Sequence, residues 1–305
     1  MENNTQQNVP ARNADSIATA GGETQPSHEV TIYAEPIFNI GNFTVTNSLI
    51  TSWVAVLIIF ILALSVRLKL KKVPGKFQHV FEVIFEGALG LVDQVTNDRK
   101  ISQKVFPLAF SLFVFVLVNN WLGLLPILGS FGFIVKEGVH SVFVPLLRSG
   151  TADINTTLAL SIMTVIGSNI FGIFIIGAWK TLNKYVNIKA LGSIFTKVRK
   201  DPAVLIVAPI TFFVGLLELL GEMAKIASLS FRLFGNVFAG EVLLASMGAI
   251  FAYIVPGPFL FLEVFVGLIQ ALIFSLLATV YFTIASQDHG EHEEHEHKKK
   301  EVLAT

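Results

Sequence analysis

The chain alternates between long apolar runs and short polar or basic segments. Four apolar runs, at 48–66, 105–125, 155–178 and 259–286, each have about the length that a helix needs to cross a bilayer. A fifth run, 202–252, is too long for one perpendicular crossing and contains no loop signal. The pattern predicts five membrane helices, and the fifth run is either one strongly tilted helix or a re-entrant hairpin.

Four further segments have patterns too short or too polar to cross a membrane. In segment 76–97 the apolar residues form one stripe, while His79, Glu82 and Glu86 lie off it. This predicts an amphipathic helix on the inner membrane surface or against a partner. Alternation at 28–36 predicts a brief extended piece, 129–150 an outer hairpin, and Pro256-Gly-Pro258 a turn.

The basic residues orient the predicted helices. Segment 67–76 holds five bases and no acid, and segment 180–200 holds six bases and no acid. Two predicted spans separate these segments, so the positive-inside rule puts both in the cytoplasm. We therefore expect the N-terminus outside and the C-terminus in the cytoplasm.

Composition supports an integral membrane protein. The chain is 53% apolar and 14% charged, whereas an average soluble domain is about 25% charged. Zero net charge gives no reason to expect nucleic acid, and the absence of cysteine excludes disulfides and thiolate metal sites. We divide the chain into a disordered tail at 1–35, a single membrane domain at 36–286 and a charged tail at 287–305. The last contains four histidines that could bind metal, although a solvated charged tail is favoured.

Arg232 is a cation in the middle of the fifth apolar run. An Arg at the centre of a membrane helix costs about 2.5–3.5 kcal/mol on insertion scales, so it is normally paired, hydrated or functional. The nearest carboxylates on its own helix, Glu222 and Glu241, lie about 15 Å and about 14 Å away at 1.5 Å per residue. Its partner must come from another helix or chain, an arrangement suited to a mobile carboxylate.

Other polar residues follow the same faces of the last two predicted helices. They are Glu218, Glu222, Lys225 and Asn236 on the helix of Arg232, and Glu263, Gln270 and Tyr281 on the last helix. Such a row can hold water and pass protons. Two structural alternatives remain. The side-chain amides of Asn236 and Gln270 could hydrogen-bond to neighbouring helices, and Glu218 and Glu222 could pair with Lys225.

No catalytic motif accompanies these groups. The chain lacks HExxH, GxSxG and P-loop patterns, so we predict no enzyme activity and no cofactor. The alternative is a secondary transporter or ion channel with an intramembrane Arg. A transporter would need an internal repeat or a substrate cavity, and the two halves of the sequence show no repeat.

The segment around Arg232 closely resembles the core motif of subunit a of the F-type ATP synthase. The motif is Ser228-Leu-Ser-Phe-Arg-Leu-Phe-Gly-Asn-Val-Phe-Ala-Gly-Glu241. Three further stretches resemble the same family: Val73-Pro-Gly-Lys-Phe-Gln78, Asn119-Asn-Trp-Leu-Gly-Leu-Leu-Pro126 and Thr151-Ala-Asp-Ile-Asn-Thr-Thr-Leu158. The likeness extends from about residue 35 to about residue 287.

The resemblance implies an all-α membrane protein that acts as the stator of a rotary motor. Its partners would be the ring of c subunits, the peripheral-stalk b subunits, membrane lipid and H⁺, with Na⁺ left open. It also implies an energy-transducing membrane, in particular the bacterial plasma membrane.

The resemblance further implies roles for individual residues. Arg232 would lie between two offset half-channels, with Glu241, Glu263, Asn236 and Gln270 on the outer side and Glu218 on the inner side. Glu222, Tyr281 and Asp153 are accessory candidates. Two departures stand out. Some bacterial members have His where this chain has Glu263 and share Glu241, and others have His at the first position and Glu at the second, whereas both are Glu here. Glu222 lies where many members have an apolar residue.

Overall fold

The computed structural model describes residues 34–41, 43–71, 75–125, 132–137, 140–178, 204–250 and 256–286. The predicted tails, apart from residues 34 and 35, and the basic loop 180–200 lie outside these ranges. The predictions of a disordered N-terminal tail and a charged C-terminal tail therefore stay predictions.

Helices account for most of the described chain, and five of them are long and apolar enough to cross a membrane. These five are α1 (Asn47–Lys69), α3 (Arg99–Leu124), α4 (Ile154–Ile176), α5 (Val204–Ile250) and α6 (Pro256–Ser286). The amphipathic segment forms α2 (Lys76–Thr96). The number and order of predicted spans are confirmed.

The long apolar run is one uninterrupted helix. Helix α5 has 47 residues, which corresponds to about 70 Å at 1.5 Å per residue, more than twice a hydrocarbon core of about 30 Å. The strongly tilted helix, and not the re-entrant hairpin, is therefore the arrangement that fits. The predicted turn at Pro256-Gly-Pro258 is wrong, because these residues begin α6. Pro256 takes the first helical position, where a fixed φ and a missing N–H are no penalty.

Two short β-hairpins accompany the helices. Strands β1 (Pro36–Ile40) and β2 (Phe43–Thr46) pair directly before α1, and β3 (Gly132–Glu137) pairs with β4 (His140–Pro145) between α3 and α4. The second hairpin confirms the predicted hairpin at 129–150. The extended piece predicted at 28–36 begins only at Pro36 within the described residues. The fold class is all-α with these two small additions.

Helix α6 is the element that the other helices surround. It packs against α2, α3, α4 and α5. The buried core at these contacts joins Leu112 and Val116 of α3, Leu229 and Leu233 of α5, and Ala271, Phe274 and Ala278 of α6. Because Leu229 and Leu233 flank Arg232, this core fixes the face of α5 that carries the arginine.

A tight corner connects α2 to α3. Asn97 ends α2 in the left-handed region, with φ 52°, and Arg99 at the start of α3 pairs with Asp93 of α2. The Ser102 hydroxyl, more than the Arg99 guanidinium, holds the pKa of Asp93 below its usual value. Val80, Val83 and Ile84 leave an exposed apolar face on α2. Helix α2 is thus attached at one end and open along one side.

We expect Gly172→Ala to weaken the contact between α4 and α6. A Cβ at Gly172 would lie 2.5 Å from the backbone oxygen of Ala285, and such overpacking costs about 1–3 kcal/mol. Gly167→Ala is the matched control, since its Cβ would make an ordinary 3.6 Å contact with Phe282. The thermal midpoint of the detergent-solubilised assembly measures the effect. Equal midpoints for the two variants would contradict the close packing at Gly172.

Candidate functional site

Arg232 lies on the exposed face of α5. Its neighbours Leu229 and Leu233 are 1% and 0% exposed, whereas Arg232 itself is exposed. Its guanidinium donates a weak hydrogen bond from Nη2 to the Ser228 hydroxyl at 3.5 Å. Within the described residues Arg232 forms no ion pair. The expectation that its own helix supplies no carboxylate partner is therefore confirmed for that part of the chain.

On the N-terminal side of Arg232, Lys225 is the centre of a polar cluster. Its ammonium lies 2.8 Å from Glu222 Oε1 and 5.3 Å from the centre of the Tyr281 ring. Asn169 of α4 donates to Glu222 Oε2 at 3.4 Å. The sequence alternative in which Glu222 pairs with Lys225 is thus confirmed. Glu222, Lys225, Asn169 and Tyr281 are called the Lys225 cluster below.

The remaining inner-side candidate is near this cluster. Glu218 is half-buried and lies one turn before Glu222 on α5. Tyr281 is half-buried, and the Lys225 ammonium lies over its ring. The predicted row of polar groups therefore includes the Lys225 cluster on the N-terminal side of Arg232.

On the C-terminal side of Arg232, Glu241 binds an arginine from another part of the chain. Arg148 lies between β4 and α4, and its Nη2 and Nε donate to Glu241 Oε2 at 2.9 Å and 3.1 Å. The arginine side chain is 9% exposed and that of Glu241 is 21% exposed. Arg148 falls within the hairpin predicted at 129–150, and nothing in the sequence connects it with Glu241.

Glu263 of α6 packs against Gly240, the residue before Glu241 on α5. Any Cβ at Gly240 would overlap the Glu263 carboxylate, so only a glycine leaves that carboxylate its present position. Both acids line a pocket of about 30 Å³ together with Asn120, Ser149, Asn236 and Gly267. That volume can hold one or two water molecules among several polar groups. This set is called the Glu241 pocket below.

Hydrogen bonds from α3 hold the wall of the Glu241 pocket. Asn120 donates to the Gly267 backbone oxygen at 3.1 Å and accepts from the Thr151 hydroxyl at 2.7 Å. Trp121 donates to the Val264 backbone oxygen at 3.2 Å. These bonds tie α3 to α6 where Gly267 permits close approach.

Two predicted residues lie outside the pocket wall. Gln270 follows Gly267 by three positions, is 6% exposed, and its amide nitrogen is buried without a hydrogen-bond acceptor within the described residues. Asp153 is 4% exposed and begins α4. Its carboxylate accepts from the Asn155 backbone N–H at 3.3 Å, the Thr156 hydroxyl at 3.1 Å and the Ser48 hydroxyl at 3.3 Å. Those bonds describe a helix cap.

The geometry gives one long helix with two polar sites on either side of a central cation. On the helical rise, Glu222 of the Lys225 cluster lies about 15 Å before Arg232, whereas Asn236 and Glu241 of the Glu241 pocket lie about 6 Å and about 14 Å after it. Across the described ranges no group of three or more His, Asp or Glu side chains could hold a metal ion. The groups present can carry charge, accept and donate protons, and order water.

Comparison with known proteins gives one consistent result. The family model of the ATP synthase A chain matches residues 49–283. A Mycobacterium ulcerans protein named ATP synthase subunit a is 34% identical over 252 residues, which are 81% of this chain and 89% of that protein. A Moorella thermoacetica protein of the same name is 28% identical over 254 residues, 83% of this chain and 96% of its own.

A third relative is named for its ion. It is the Propionigenium modestum protein described as ATP synthase subunit a, sodium ion specific, and it is 30% identical over 255 residues, 83% of this chain and 78% of its own. The matched residues include α1, α3, α4, α5 and most of α6. The chain belongs to the family of the ATP synthase A chain, a membrane-sector subunit with a role in ion transport.

Proposed function

We propose that the chain is the proton-translocating stator subunit of a rotary F-type ATP synthase. In this role it would face a ring of c subunits, each with one membrane carboxylate, and would be held by the peripheral-stalk b subunits. ATP chemistry would occur on other subunits, so this chain would be non-catalytic. The N-terminus would lie outside and the C-terminus in the cytoplasm, and the membrane would be an energy-transducing one such as the bacterial plasma membrane.

The exposed guanidinium of Arg232 is the observation that carries this proposal. A permanent cation at the middle of a membrane helix, with no ion pair among the described residues, is a costly feature for a purely structural helix. A ring carboxylate that arrives without its proton would supply the missing partner. Once that carboxylate takes up a proton, the attraction ends and the ring can move on.

The two polar sites would connect Arg232 to opposite membrane surfaces. The Glu241 pocket, with Glu263 and Asn236, supports an outer half-channel, and buried Gln270 extends it along α6. Glu218 and the Lys225 cluster support an inner half-channel. Because the pocket and the cluster lie on opposite sides of Arg232 along α5, a proton would pass from one to the other on the ring carboxylate.

The accessory candidates divide by their contacts. Glu222 and Lys225 neutralise each other, so we propose that they keep the inner half-channel polar without attracting a ring carboxylate away from Arg232. Tyr281 would bridge this cluster and Arg232. Asp153 has its carboxylate oxygens engaged in a helix cap, which supports a structural role near the channel.

Arg232→Ala should abolish proton-driven ATP synthesis in the reconstituted complex, by more than about 100-fold, because no cation would remain to attract the ring carboxylate. ATP hydrolysis by the detached soluble sector should persist. Arg99→Ala is the matched control, since Arg99 is an exposed arginine at the α2–α3 corner. ATP synthesis in inverted or oriented vesicles measures both variants.

Coupled synthesis that survives Arg232→Ala would overturn the stator proposal.

The same vesicles, assayed with and without Na⁺ at constant proton gradient, test which ion the chain carries. We expect no dependence on Na⁺; a strict requirement for Na⁺ would assign this chain the ion named for its Propionigenium modestum relative.

Gly240→Ala should slow proton entry through the Glu241 pocket about tenfold or more, equivalent to about 1.4 kcal/mol of barrier. The added methyl would displace the Glu263 carboxylate, so Glu263→Gln should reproduce the loss. Gly248→Ala is the matched control on the same helix, because its methyl would meet open space within the described structure. The measurement is passive proton conduction through the membrane sector, followed with a pH-sensitive dye. Unchanged conduction in both Gly240→Ala and Glu263→Gln would remove Glu263 from the path.

A further inference from the structure

We infer that Arg148 is a positioning residue that holds Glu241 as a fixed ion pair and thereby makes Glu263 the carboxylate that takes up and releases the proton in the Glu241 pocket. This inference rests on the proposed function and deepens it. It assigns distinct roles to two acids that the sequence resemblance treats alike.

The Arg148–Glu241 pair is built as a permanent contact. Two guanidinium nitrogens, at 2.9 Å and 3.1 Å, bind the same carboxylate oxygen, and the arginine side chain is 9% exposed. A charge-assisted bond shielded from water is among the stronger hydrogen bonds in proteins. Removal of one partner would leave a buried charge unpaired, which strongly disfavours breaking the pair during turnover.

The segment that carries Arg148 is fixed to the helices around it. The Arg148 backbone N–H donates to the Thr51 hydroxyl of α1 at 3.1 Å, and the Ser149 hydroxyl donates to the Asn119 backbone oxygen of α3 at 3.2 Å. A Cβ at Gly150 would overlap side-chain oxygens of Ser52 and Asn119. The backbone that carries the Arg148 guanidinium is therefore fixed in place, and a movement of Glu241 would not take the guanidinium with it.

Charge balance then points to Glu263. Glu241 from α5 and Glu263 from α6 line the pocket together with the neutral Asn120 of α3. Arg148, from the segment after β4, reaches Glu241, and its backbone is held by the neutral Thr51 of α1. Arg stays protonated at every physiological pH. Two carboxylates and one guanidinium make a neutral site only when one carboxylate holds a proton. That proton belongs on Glu263, which forms no ion pair within the described ranges.

In one turnover Glu263 loses one proton and regains one. Protonated Glu263 gives its proton, by way of water near Asn236, to a ring carboxylate and becomes a carboxylate. The pocket then carries one net negative charge, which draws a proton from the outer solution back to Glu263. Glu241 stays ionised throughout, so it cannot trap the incoming proton.

A double-mutant cycle in the reconstituted holoenzyme tests this assignment. The variants are Arg148→Gln, Glu241→Gln, the two combined, and Arg148→Lys, and the readout is the initial rate of proton-driven ATP synthesis against outer pH at constant driving force. Each Gln variant should lose about tenfold or more, since it leaves one buried charge unpaired. The double variant, which again has no unpaired charge from this pair, should exceed either single variant by about fivefold.

The pH profile separates an electrostatic role from a merely structural one. Arg148→Gln should move the alkaline limb of the rate profile to higher pH, since loss of the cation favours retention of a proton in the pocket. Arg148→Lys should restore the limb, and the double variant should return it toward that of the wild type. Arg99→Gln, which removes an arginine from the Asp93 pair instead, should leave the profile in place.

Two results would overturn the inference. One is a double variant as inactive as Glu241→Gln, because Glu241 would then carry protons itself. The other is a pH profile that no Arg148 variant moves. Glu263→Gln and Arg232→Ala in the same vesicles keep the two proposals apart: full activity in both would reject the stator function, whereas their inactivity with a failed Arg148 cycle would reject only this inference.

Discussion

The need to pair ionised groups in a medium of low dielectric constant is the constraint on which this structure depends. Glu241 meets Arg148 across two elements, and Glu222 meets Lys225 one turn away on α5. Both pairs replace lost hydration with direct contact. Arg232, on the same helix, forms no ion pair within the described residues, so the same constraint marks it as the site where a carboxylate from outside the chain is expected.

A single continuous helix sets the distances between these charged groups. Because α5 runs from Val204 to Ile250 without interruption, the two paired sites and Arg232 are held along one axis at spacings set by the helical rise. Leu229 and Leu233, buried against α3 and α6, determine the rotation of that axis. A hinge within α5 would have allowed the two polar sites to approach each other, and a continuous helix prevents it.

Sequence predicted what depends on local pattern and missed what depends on long-range contact. Hydropathy predicted the five helices to within a few residues at most ends, and the spacing of three between Glu222 and Lys225 allowed their ion pair as one of two alternatives. Continuity of α5 could not be separated from a re-entrant hairpin, since both have the same composition. Arg148 and Glu241 are 93 positions apart, so no periodicity connects them. Proline and glycine are common both in turns and at the start of a helix. Pro256-Gly-Pro258 therefore predicts a turn where the structure has the first turn of α6.

Glycine explains how two carboxylates and a guanidinium fit between tightly packed helices. Gly240 leaves room for the Glu263 carboxylate, Gly267 lets Asn120 reach the backbone of α6, and Gly150 lets the Arg148 segment lie against α1 and α3. Each is a place where a Cβ would push a polar group away from its partner. In a membrane interior, where close approach gives most of the packing energy between helices, the same small residues that bind the helices together also create the polar pocket. The packing of α6 and the Glu241 pocket therefore depend on the same contacts, and the pocket could not be widened without loosening α6.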